Sequence, residues 1–448
     1  MEPTLMVVGL NYRTAPLAMR ERFWISENRR YEVLRQLKTA EGIEEIVVLS
    51  TCCRTEFLLW ADEPTLAASS LLQFLGSEQG LKLTEWQHFY RLLDDSAMEH
   101  IFRTISGLDS LLLGESQIVS QMKAAWEQAR TVGTAGRFLG AALEKAMSVS
   151  KRVRTETAIG ALAMSVPTAA LELGRQAFGS LEGRNVLLLG TGKMSEVSAR
   201  QMVERGANSV VVIDQSPDRA REVAEKLGGT PATLADRWKC MLHADIVITA
   251  TGCPHVVLTR EEAERIAEER NRVALVIMDI GMPRDVDPDV RRVDGILLYD
   301  LDGLERVVQS RTTERAIAIA EADKIVADEV QAFRNKLQAQ SVVPTIVALR
   351  QRLEEICRQE LESFKQERGP FTREQDQSLQ AITAQVIQKI ASSLARELKE
   401  LPEKEEQERM TQAVTRLFHL GTPKPALAGT SSKKEEAERA KRGTAIAI

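Results

Sequence analysis

The 448-residue sequence has only five cysteines and five histidines, so it offers little for a metal site or a disulfide framework. The cysteines are Cys52, Cys53, Cys240, Cys253 and Cys357, an odd number without C-x-x-C spacing. Structural zinc sites and disulfide-stapled domains normally show paired or regularly spaced cysteines. The sequence therefore predicts neither.

Long apolar runs and an excess of basic charge are also missing. No apolar run approaches the roughly 20 residues that cross a bilayer, and residues 1–10 pass from Glu2 straight into a strand-like segment. We therefore expect a cytoplasmic protein without membrane contact. The formal net charge of −5 excludes a globally basic nucleic-acid binder, so no DNA partner is expected and any RNA contact must be local.

The chain is longer than one hydrophobic core supports, and its pattern predicts an α/β multidomain protein. Residues 1–155 read as an α+β catalytic domain. Its apolar runs 5–10, 46–49 and 57–60 predict buried strands, with a polar loop at 50–56, and a helical pattern covers about 96–156.

The sequence pattern differs in residues 156–302, where short apolar runs are separated by helical stretches. Runs of this kind suit strands buried on both faces of a parallel sheet. The pattern predicts a doubly wound, Rossmann-type nucleotide domain. The predicted strands are 186–189, 210–213, 246–249, 274–278 and 296–299.

Residues 303–420 are predicted to be helical. One long helix at about 304–340 would span roughly 55 Å at about 1.5 Å per residue. Pro344 begins another helix, and the apolar seams that follow indicate a bundle of the kind that makes dimer interfaces. The tail at 421–448 is rich in small and charged residues and is predicted to be disordered.

A glycine-rich segment lies between the first strand and first helix of the nucleotide domain. Glycines there allow a tight turn and close approach to a pyrophosphate, which the helix N-terminus attracts. An ordinary glycine turn is the alternative. Asp214 closes the next strand, where an acid commonly binds the adenosine ribose. The predicted cofactor-binding residues are Gly190, Thr191, Gly192, Lys193, Met194, Ser195 and Asp214.

The loop at 50–56 holds Cys52 and Cys53 next to Arg54. A nearby guanidinium favours the thiolate, which is the form that attacks esters. The alternative is a small buried hydrophobic residue, since free cysteine is often buried.

A second polar group follows His100. A lone histidine is more often structural than catalytic. The run 111–113 ends in a polar segment, and binding groups concentrate in such loops. The candidates there are Ser110, Glu115, Gln117 and Gln121.

Together these motifs resemble the glutamyl-tRNA reductase family. The resemblance extends from about residue 8 to residue 418. It is carried by several long segments in order: 8–16, 49–56, 106–110, 114–121, 152–157 and 279–288.

The resemblance implies an activity and its residues. Cys52 would attack the ester that joins glutamate to tRNA, and NADPH would reduce the thioester to glutamate-1-semialdehyde, the first step of the five-carbon route to 5-aminolevulinate and tetrapyrroles. His100 matches a histidine that orients the thiol or ester. It also implies a homodimer and a transient contact with the aminomutase that takes the semialdehyde. The substrate-binding positions would be Thr51, Cys53, Arg54, Ser110, Glu115, Ser116, Gln117 and Gln121.

The sequence departs from the family pattern at three positions. Cys53 replaces the usual asparagine after the nucleophile, and Tyr12 replaces a frequent histidine. Asp214 begins a segment where the family usually has Asn-Arg-Ser/Thr, so NADP(H) is the expected cofactor with NAD(H) as the alternative. Arg219 and Arg221 are the candidates to bind a 2′-phosphate in place of the missing arginine.

Other interpretations stay open at this point. One is a dehydrogenase of the shikimate dehydrogenase type that acts on a free small molecule, with Cys52 structural. Another is a non-catalytic adaptor that senses nucleotide, and a third is a family member kept for regulation. Lys151, Arg152 and Arg154 form a basic cluster that either contacts tRNA or is a solvated helix face.

Overall fold

The apolar runs near the amino terminus form a four-stranded antiparallel sheet in the computed structural model, which describes residues 3–307, 312–369, 371–401 and 404–420. The strand order is β2-β3-β1-β4, and the two central strands are almost entirely buried. The strands are β1 (Thr4–Asn11), β2 (Glu45–Ser50), β3 (Arg54–Ala61) and β4 (Tyr90–Leu93).

Six helices surround this sheet. A 3₁₀ turn at Leu83–His88 leads into the edge strand β4, which was not predicted. The long helical stretch predicted at 96–156 is three helices, because Gly107 and Gly133 end the first two in left-handed conformations. The helices are α1 (Leu17–Phe23), α2 (Glu27–Leu37), α3 (Pro64–Gln79), α4 (Asp94–Ser106), α5 (Gln117–Val132) and α6 (Arg137–Glu156).

Strand β3 begins three residues earlier than predicted. Its register pairs Arg54 with Asn11 and Glu56 with Gly9, so the predicted loop at 50–56 is wrong in extent and shrinks to 51–53. The buried strand accommodates Arg54 and Glu56 because they lie two positions apart on one face, where their charges neutralise each other.

The nucleotide part is a six-stranded parallel sheet in the order β10-β9-β8-β5-β6-β7. The order reverses between β5 and β8, which is where doubly wound sheets bind ligands. All five predicted strands are confirmed, and the short edge strand β7 was missed. The strands are β5 (Asn185–Leu189), β6 (Ser209–Ile213), β7 (Thr230–Ala232), β8 (Ile246–Thr249), β9 (Leu275–Asp279) and β10 (Ile296–Asp300).

Helices cover both faces of the parallel sheet, as the connections between parallel strands require. Two 3₁₀ turns, Leu234–Asp236 and Pro288–Arg292, complete the connections. The helices are α7 (Val166–Phe178), α8 (Lys193–Glu204), α9 (Pro217–Leu227), α10 (Arg237–His243), α11 (Arg260–Glu269) and α12 (Leu301–Val307). The fold class is therefore confirmed for this part.

The long helix predicted at 304–340 corresponds to α12 and to α13 (Thr312–Ser341). The intervening residues 308–311 lie outside the described residues. Helix α13 has 30 residues, or about 45 Å at about 1.5 Å per residue.

The chain divides into two units, Met1–Val330 and Gln331–Ile448. The second unit is helical, and Pro344 lies in the first turn of α14 as predicted. Leu349, Val414 and Leu420 form its small core. The predicted disorder of 421–448 concerns residues outside the described ones. The helices of the second unit that follow α13 are α14 (Val343–Arg368), α15 (Arg373–Glu400) and α16 (Lys404–Leu417).

None of the described helices has both the length and the apolar composition needed to traverse a bilayer.

Candidate active site

The tight turn between β2 and β3 presents Cys52. The Thr51 N–H donates to the Arg54 carbonyl at 2.8 Å, and the Cys53 N–H donates to Thr51 Oγ1 at 3.2 Å. Strand pairing on either side of the turn continues these bonds. Because the turn is fixed by its own main chain, Cys52 is held half-buried at a defined point.

The two neighbouring thiols interact directly. Their Sγ atoms lie 3.6 Å apart. The hydrogen bond from Cys53 lowers the pKa of Cys52, against the raising effect of burial and of Glu115, and Arg20 lowers it further. The same contact with the Cys52 sulfur, together with burial, raises the pKa of Cys53 well above its ordinary value. Cys52 is therefore the thiol that ionises first.

A cavity of about 280 Å³ opens beside these thiols. It contains most of the predicted catalytic-domain residues and one predicted nucleotide-loop residue. Those that line it are Thr51, Cys52, Cys53, Arg54, Ser110, Glu115, Gln117, Gln121 and Met194.

The far wall of the cavity belongs to the nucleotide domain. Met194, Ile280 and Leu301 line it, and the Gln117 side-chain amide contacts the Met194 sulfur. Cys53 also shares an apolar cluster with residues of the nucleotide domain. Cys52 and Met194 of the glycine-rich loop thus line the same partly open cavity.

A buried network lies behind Arg54. Glu56 Oε1 accepts bonds from Arg54 Nη1 at 2.6 Å and from the Tyr90 hydroxyl at 2.5 Å, and lies 3.0 Å from His100 Nε2. Arg54 Nη1 also donates to Thr104 Oγ1 at 3.0 Å. Burial alone would raise the pKa of Glu56, but Arg54 and His100 hold it well below its ordinary value. The carboxylate therefore stays charged and fixes the guanidinium that lines the cavity.

His100 lies in this second layer and not on the cavity wall. Its Nε2 faces Glu56, and its Nδ1 lies 3.9 Å from Asp109 Oδ2. Among the bonds of the described residues, none joins His100 to Cys52. His100 is therefore linked to the cavity wall through Glu56, which bonds Arg54.

Glu115 is the acidic group of the cavity. Burial raises its pKa to about 7, although Arg54 and Arg154 act in the opposite direction. Arg154 Nη2 also donates to the Glu115 carbonyl at 2.7 Å. Ser116, predicted beside it, is exposed at the start of α5 and does not line the cavity.

The glycine-rich loop has the shape needed to approach a pyrophosphate. Gly190 has a φ of +91°, and a Cβ there would lie 2.3 Å from the Ala250 carbonyl oxygen. Ser195 is fully buried, and its Oγ donates to the Gly190 and Gly192 carbonyls at 2.9 and 2.8 Å. The loop ends at the N-terminus of α8, where main-chain N–H groups attract anions.

Asp214 braces this loop. Its Oδ2 accepts the Thr191 N–H at 2.9 Å and the Thr191 hydroxyl at 2.7 Å, and its Oδ1 accepts the Ser216 N–H at 2.9 Å. Partial burial raises the pKa of Asp214, but these bonds hold it below its ordinary value. Arg219 Nη2 donates to the Thr191 carbonyl at 3.4 Å, whereas Arg221 pairs with Asp218 on the surface. Of these two arginines, Arg219 is therefore the one beside the loop.

The basic cluster at 151–154 does not present one free face. Arg152 pairs with Glu156 and Glu329, and Arg154 is directed to the cavity wall. Lys151 is exposed.

Sequence reasoning missed Arg20, Glu56 and Tyr90 as members of the site. Glu56 stood in the motif, and its i, i+2 spacing from Arg54 was a usable signal for a shared strand face. Arg20 and Tyr90 come from distant segments without any local signal.

A half-buried thiol that shares a cavity with the glycine-rich loop of a doubly wound domain defines an oxidoreductase with a reactive cysteine. The described residues contain no group of three or more His, Cys, Asp or Glu side chains arranged to hold a metal ion.

Comparison with known proteins identifies the family. Residues 8–157 match the glutamyl-tRNAGlu reductase N-terminal domain, and residues 321–420 match the dimerisation domain of the same family. Residues 172–307 match the shikimate/quinate 5-dehydrogenase model, which corresponds to the nucleotide-binding part.

Relatives that match over most of their length belong to the same family. The chain is 39% identical to glutamyl-tRNA reductase of Desulforudis audaxviator, over 93% of this chain and 94% of the relative. It is 35% identical to that of Solibacter usitatus, over 93% and 99%. The structure of glutamyl-tRNA reductase from Methanopyrus kandleri matches with a TM-score of 0.50 and 26% identity, over 93% and 99%. The chain belongs to the glutamyl-tRNA reductase family of oxidoreductases, which act at the first step of tetrapyrrole synthesis.

Proposed function

We propose that this chain reduces glutamyl-tRNA(Glu) to glutamate-1-semialdehyde, using NADPH and a thioester on Cys52. The observation that carries the proposal is the position of Cys52, which opens into the cavity opposite Met194 of the nucleotide loop. A thioester formed there lies on the path between the catalytic and nucleotide domains and is sheltered from water, which would otherwise hydrolyse it.

Acyl transfer uses the ionised thiol. The Cys52 thiolate attacks the ester carbonyl, a C–S bond forms, and the ester C–O bond breaks to release the tRNA hydroxyl. That leaving oxygen needs a proton, and Glu115 is suited to supply one because its pKa is about 7.

Reduction then takes place at the thioester carbonyl. The Gly190–Ser195 loop fits a dinucleotide because it joins a strand to the N-terminus of α8 through a positive-φ turn at Gly190 that packs closely against Ala250. A dihydronicotinamide bound there supplies the hydride. The carbonyl carbon accepts it, the C–S bond breaks, and Cys52 leaves as the thiolate with which it began.

Arg54 is suited to the side-chain carboxylate of the substrate. It lines the cavity, and its guanidinium is held in one orientation by Glu56 and Thr104 at Nη1 and by the Asp109 carbonyl at Nη2. His100 acts as a positioning residue through Glu56. The rest of the glutamyl group would be bound by the other predicted residues that line the cavity, Thr51, Cys53, Ser110, Glu115, Gln117 and Gln121.

NADPH is proposed over NADH because Arg219 lies against Thr191, next to Asp214. Its charge compensates for an aspartate that would otherwise repel a 2′-phosphate. NADH is the second candidate, since Asp214 keeps free acceptor capacity for a ribose hydroxyl.

The proposed division of labour follows the three regions of the sequence. Residues 1–155 bind the glutamyl group, residues 156–302 bind nucleotide, and residues 303–420 form a homodimer. Residues 158–167 and the long helix after Gly303 are the proposed hinge elements. The unstable aldehyde would pass to an aminomutase through a transient contact.

The decisive experiment incubates the protein with tRNA charged with labelled glutamate, first without nucleotide and then with NADPH. We expect label on the Cys52 peptide in the first stage and semialdehyde in the second. Cys52→Ser should abolish both. Cys240→Ser, on α10 of the nucleotide domain, is the matched control and should behave as the wild type. Semialdehyde formation by Cys52→Ser would overturn the thioester mechanism.

A further inference from the structure

The two thiols of the active-site turn are close enough to react with each other. Their sulfur atoms lie 3.6 Å apart, and both line the cavity. That cavity, about 280 Å³, has room for small oxidants, since a water molecule occupies about 30 Å³ in the liquid. Cys53 is 8% exposed, so its sulfur is shielded from most partners other than Cys52.

We infer that Cys52 and Cys53 form a dithiol that a hydroperoxide converts reversibly into a disulfide. In the first step the Cys52 thiolate attacks the terminal peroxide oxygen, the O–O bond breaks, and Cys52 becomes a sulfenic acid as hydroxide leaves from hydrogen peroxide, or alkoxide from an organic hydroperoxide. In the second step the Cys53 sulfur attacks the Cys52 sulfur, the S–O bond breaks, and water leaves with the Cys53 proton. Cys52 loses two electrons to the peroxide overall, and the pair shares that oxidation as one S–S bond.

The environment assigns the two roles. Cys52 reacts first because it is the more exposed of the two thiols and the buried Arg20 cation bonds its main-chain carbonyl, which favours its thiolate. Cys53 is then the resolving thiol, already positioned at the oxidised sulfur.

The geometry also predicts that the disulfide is easily reduced. Adjacent Cα atoms are about 3.8 Å apart across a trans peptide, which is shorter than the usual range of about 4.4–6.8 Å in disulfides. Strained disulfides are more readily reduced and serve as labile or regulatory bonds. The disulfide removes the nucleophile, and a thiol reductant restores it. Only this loss of activity rests on the proposed function, since the oxidation itself needs no substrate.

The test is peptide mapping of the full-length protein after brief exposure to hydrogen peroxide. Trypsin releases both cysteines in one peptide, residues 39–54, which contains no other cysteine. After alkylation we expect this peptide to carry no label and to be lighter than the reduced peptide by two hydrogens. Treatment with dithiothreitol before alkylation should restore two labels. A peptide with sulfinic acid at Cys52 and a labelled Cys53 would overturn the inference, whatever the activity assay gives.

Variants of Cys53 distinguish a resolving role of this thiol from a general sensitivity of the protein to peroxide. Cys53→Ser and Cys53→Asn should retain a Cys52 sulfenic acid that proceeds to irreversible oxidation, so the fraction of Cys52 recovered as thiol should fall at least about tenfold. Cys357→Ser, on α14, is the control and should recover as the wild type does. Equal recovery in the wild type and in both Cys53 variants would contradict a resolving role.

Discussion

Arg20 donates a hydrogen bond from Nη1 to the main-chain carbonyl of Cys52 at 3.0 Å. The guanidinium is 2% exposed, and its other terminal nitrogen pairs with Asp302 at the start of α12. A buried cation thus contacts the reactive loop on one side and the nucleotide domain on the other. This charge both favours the Cys52 thiolate and links the thiol to the part of the chain that binds nucleotide.

Replacing Arg20 by methionine should therefore make Cys52 less reactive. Loss of the cation raises the pKa of Cys52, so less thiolate is present at neutral pH. We expect alkylation of Cys52 by iodoacetamide to slow about three- to tenfold, with its pH profile displaced to higher pH. Arg20→Lys keeps the charge and should restore part of the rate. Arg22→Met is the control, because Arg22 is exposed and pairs with Glu85. If the pH profile of Cys52 alkylation is unchanged in Arg20→Met, an electrostatic role of Arg20 is contradicted.

Glu56→Gln should destabilise the catalytic domain in a pH-dependent way. The variant leaves the buried Arg54 charge uncompensated, which typically costs about 3–5 kcal/mol. The folded-state pKa of Glu56 is held below its ordinary value of 4.5, so its contribution is full above that pH and declines as the pH falls. Urea unfolding should show a large difference from the wild type near pH 7 and a smaller one in acid. Glu32→Gln, on α2, is the exposed control, and a penalty independent of pH would contradict this account.

The fold was predictable wherever burial alone determines the pattern. The central strands of the nucleotide sheet are covered on both faces and give unbroken apolar runs such as 246–249. Edge strands lack that signal: Tyr90–Leu93 is half-exposed, and Thr230–Ala232 contains Pro231. An edge strand tolerates proline because one side needs no hydrogen bonds, and that makes it look like a loop.

The site was predictable only where its chemistry is local. Cys52 and the Gly190 loop lie in short motifs whose residue types carry the signal. The partners that tune them are distant in sequence, as with Arg20, which is 32 positions from the Cys52 carbonyl it contacts. A loop was predicted at Arg54 because charged side chains are rarely buried. Its ion pair with Glu56 is what allows this arginine to lie in a buried strand.

The proposed homodimer predicts a role for an apolar stripe on α15. Ile382, Val386 and Ile390 recur every four residues and are 44–60% exposed, which suits burial against a second chain. Light scattering should give about twice the chain mass of 49.8 kDa for the wild type and a lower mass for the double variant Ile382→Glu, Val386→Glu. Gln388→Glu, on the opposite face of the helix, should leave the mass unchanged. A double variant with the wild-type mass would exclude this stripe.

Arg219 should decide the choice of nucleotide. Its removal takes away the cation beside the loop, so Arg219→Ala should lower kcat/KM for NADPH about tenfold or more and leave NADH nearly unchanged. Arg221→Ala is the matched control on the same helix, since Arg221 pairs with Asp218 away from the loop. Equal losses with both nucleotides would indicate a structural role for Arg219. A wild-type preference for NADH would defeat the NADPH proposal and leave the reductase proposal intact.

Glu115 should have opposite effects on stability and on activity. Burial raises its folded-state pKa to about 7, above the ordinary value of 4.5. Between these values the folded state holds a proton that the unfolded state releases, so stability falls as the pH rises toward 7 and stays reduced above it. Glu115→Gln removes this penalty and should stabilise the protein near pH 8, on the order of 1–2 kcal/mol after solvent screening, and have little effect near pH 4.

The same variant should be less active, because the amide cannot donate a proton to the leaving oxygen. We expect kcat to fall about tenfold or more while Tm at pH 8 rises, as measured by steady-state kinetics and thermal unfolding on one preparation. Glu127→Gln is the control on α5, where Glu127 is exposed and pairs with Arg130. A loss of activity with a parallel loss of stability would indicate that Glu115 serves the fold, since a functional carboxyl buried at a cost to folding must show the two effects with opposite signs.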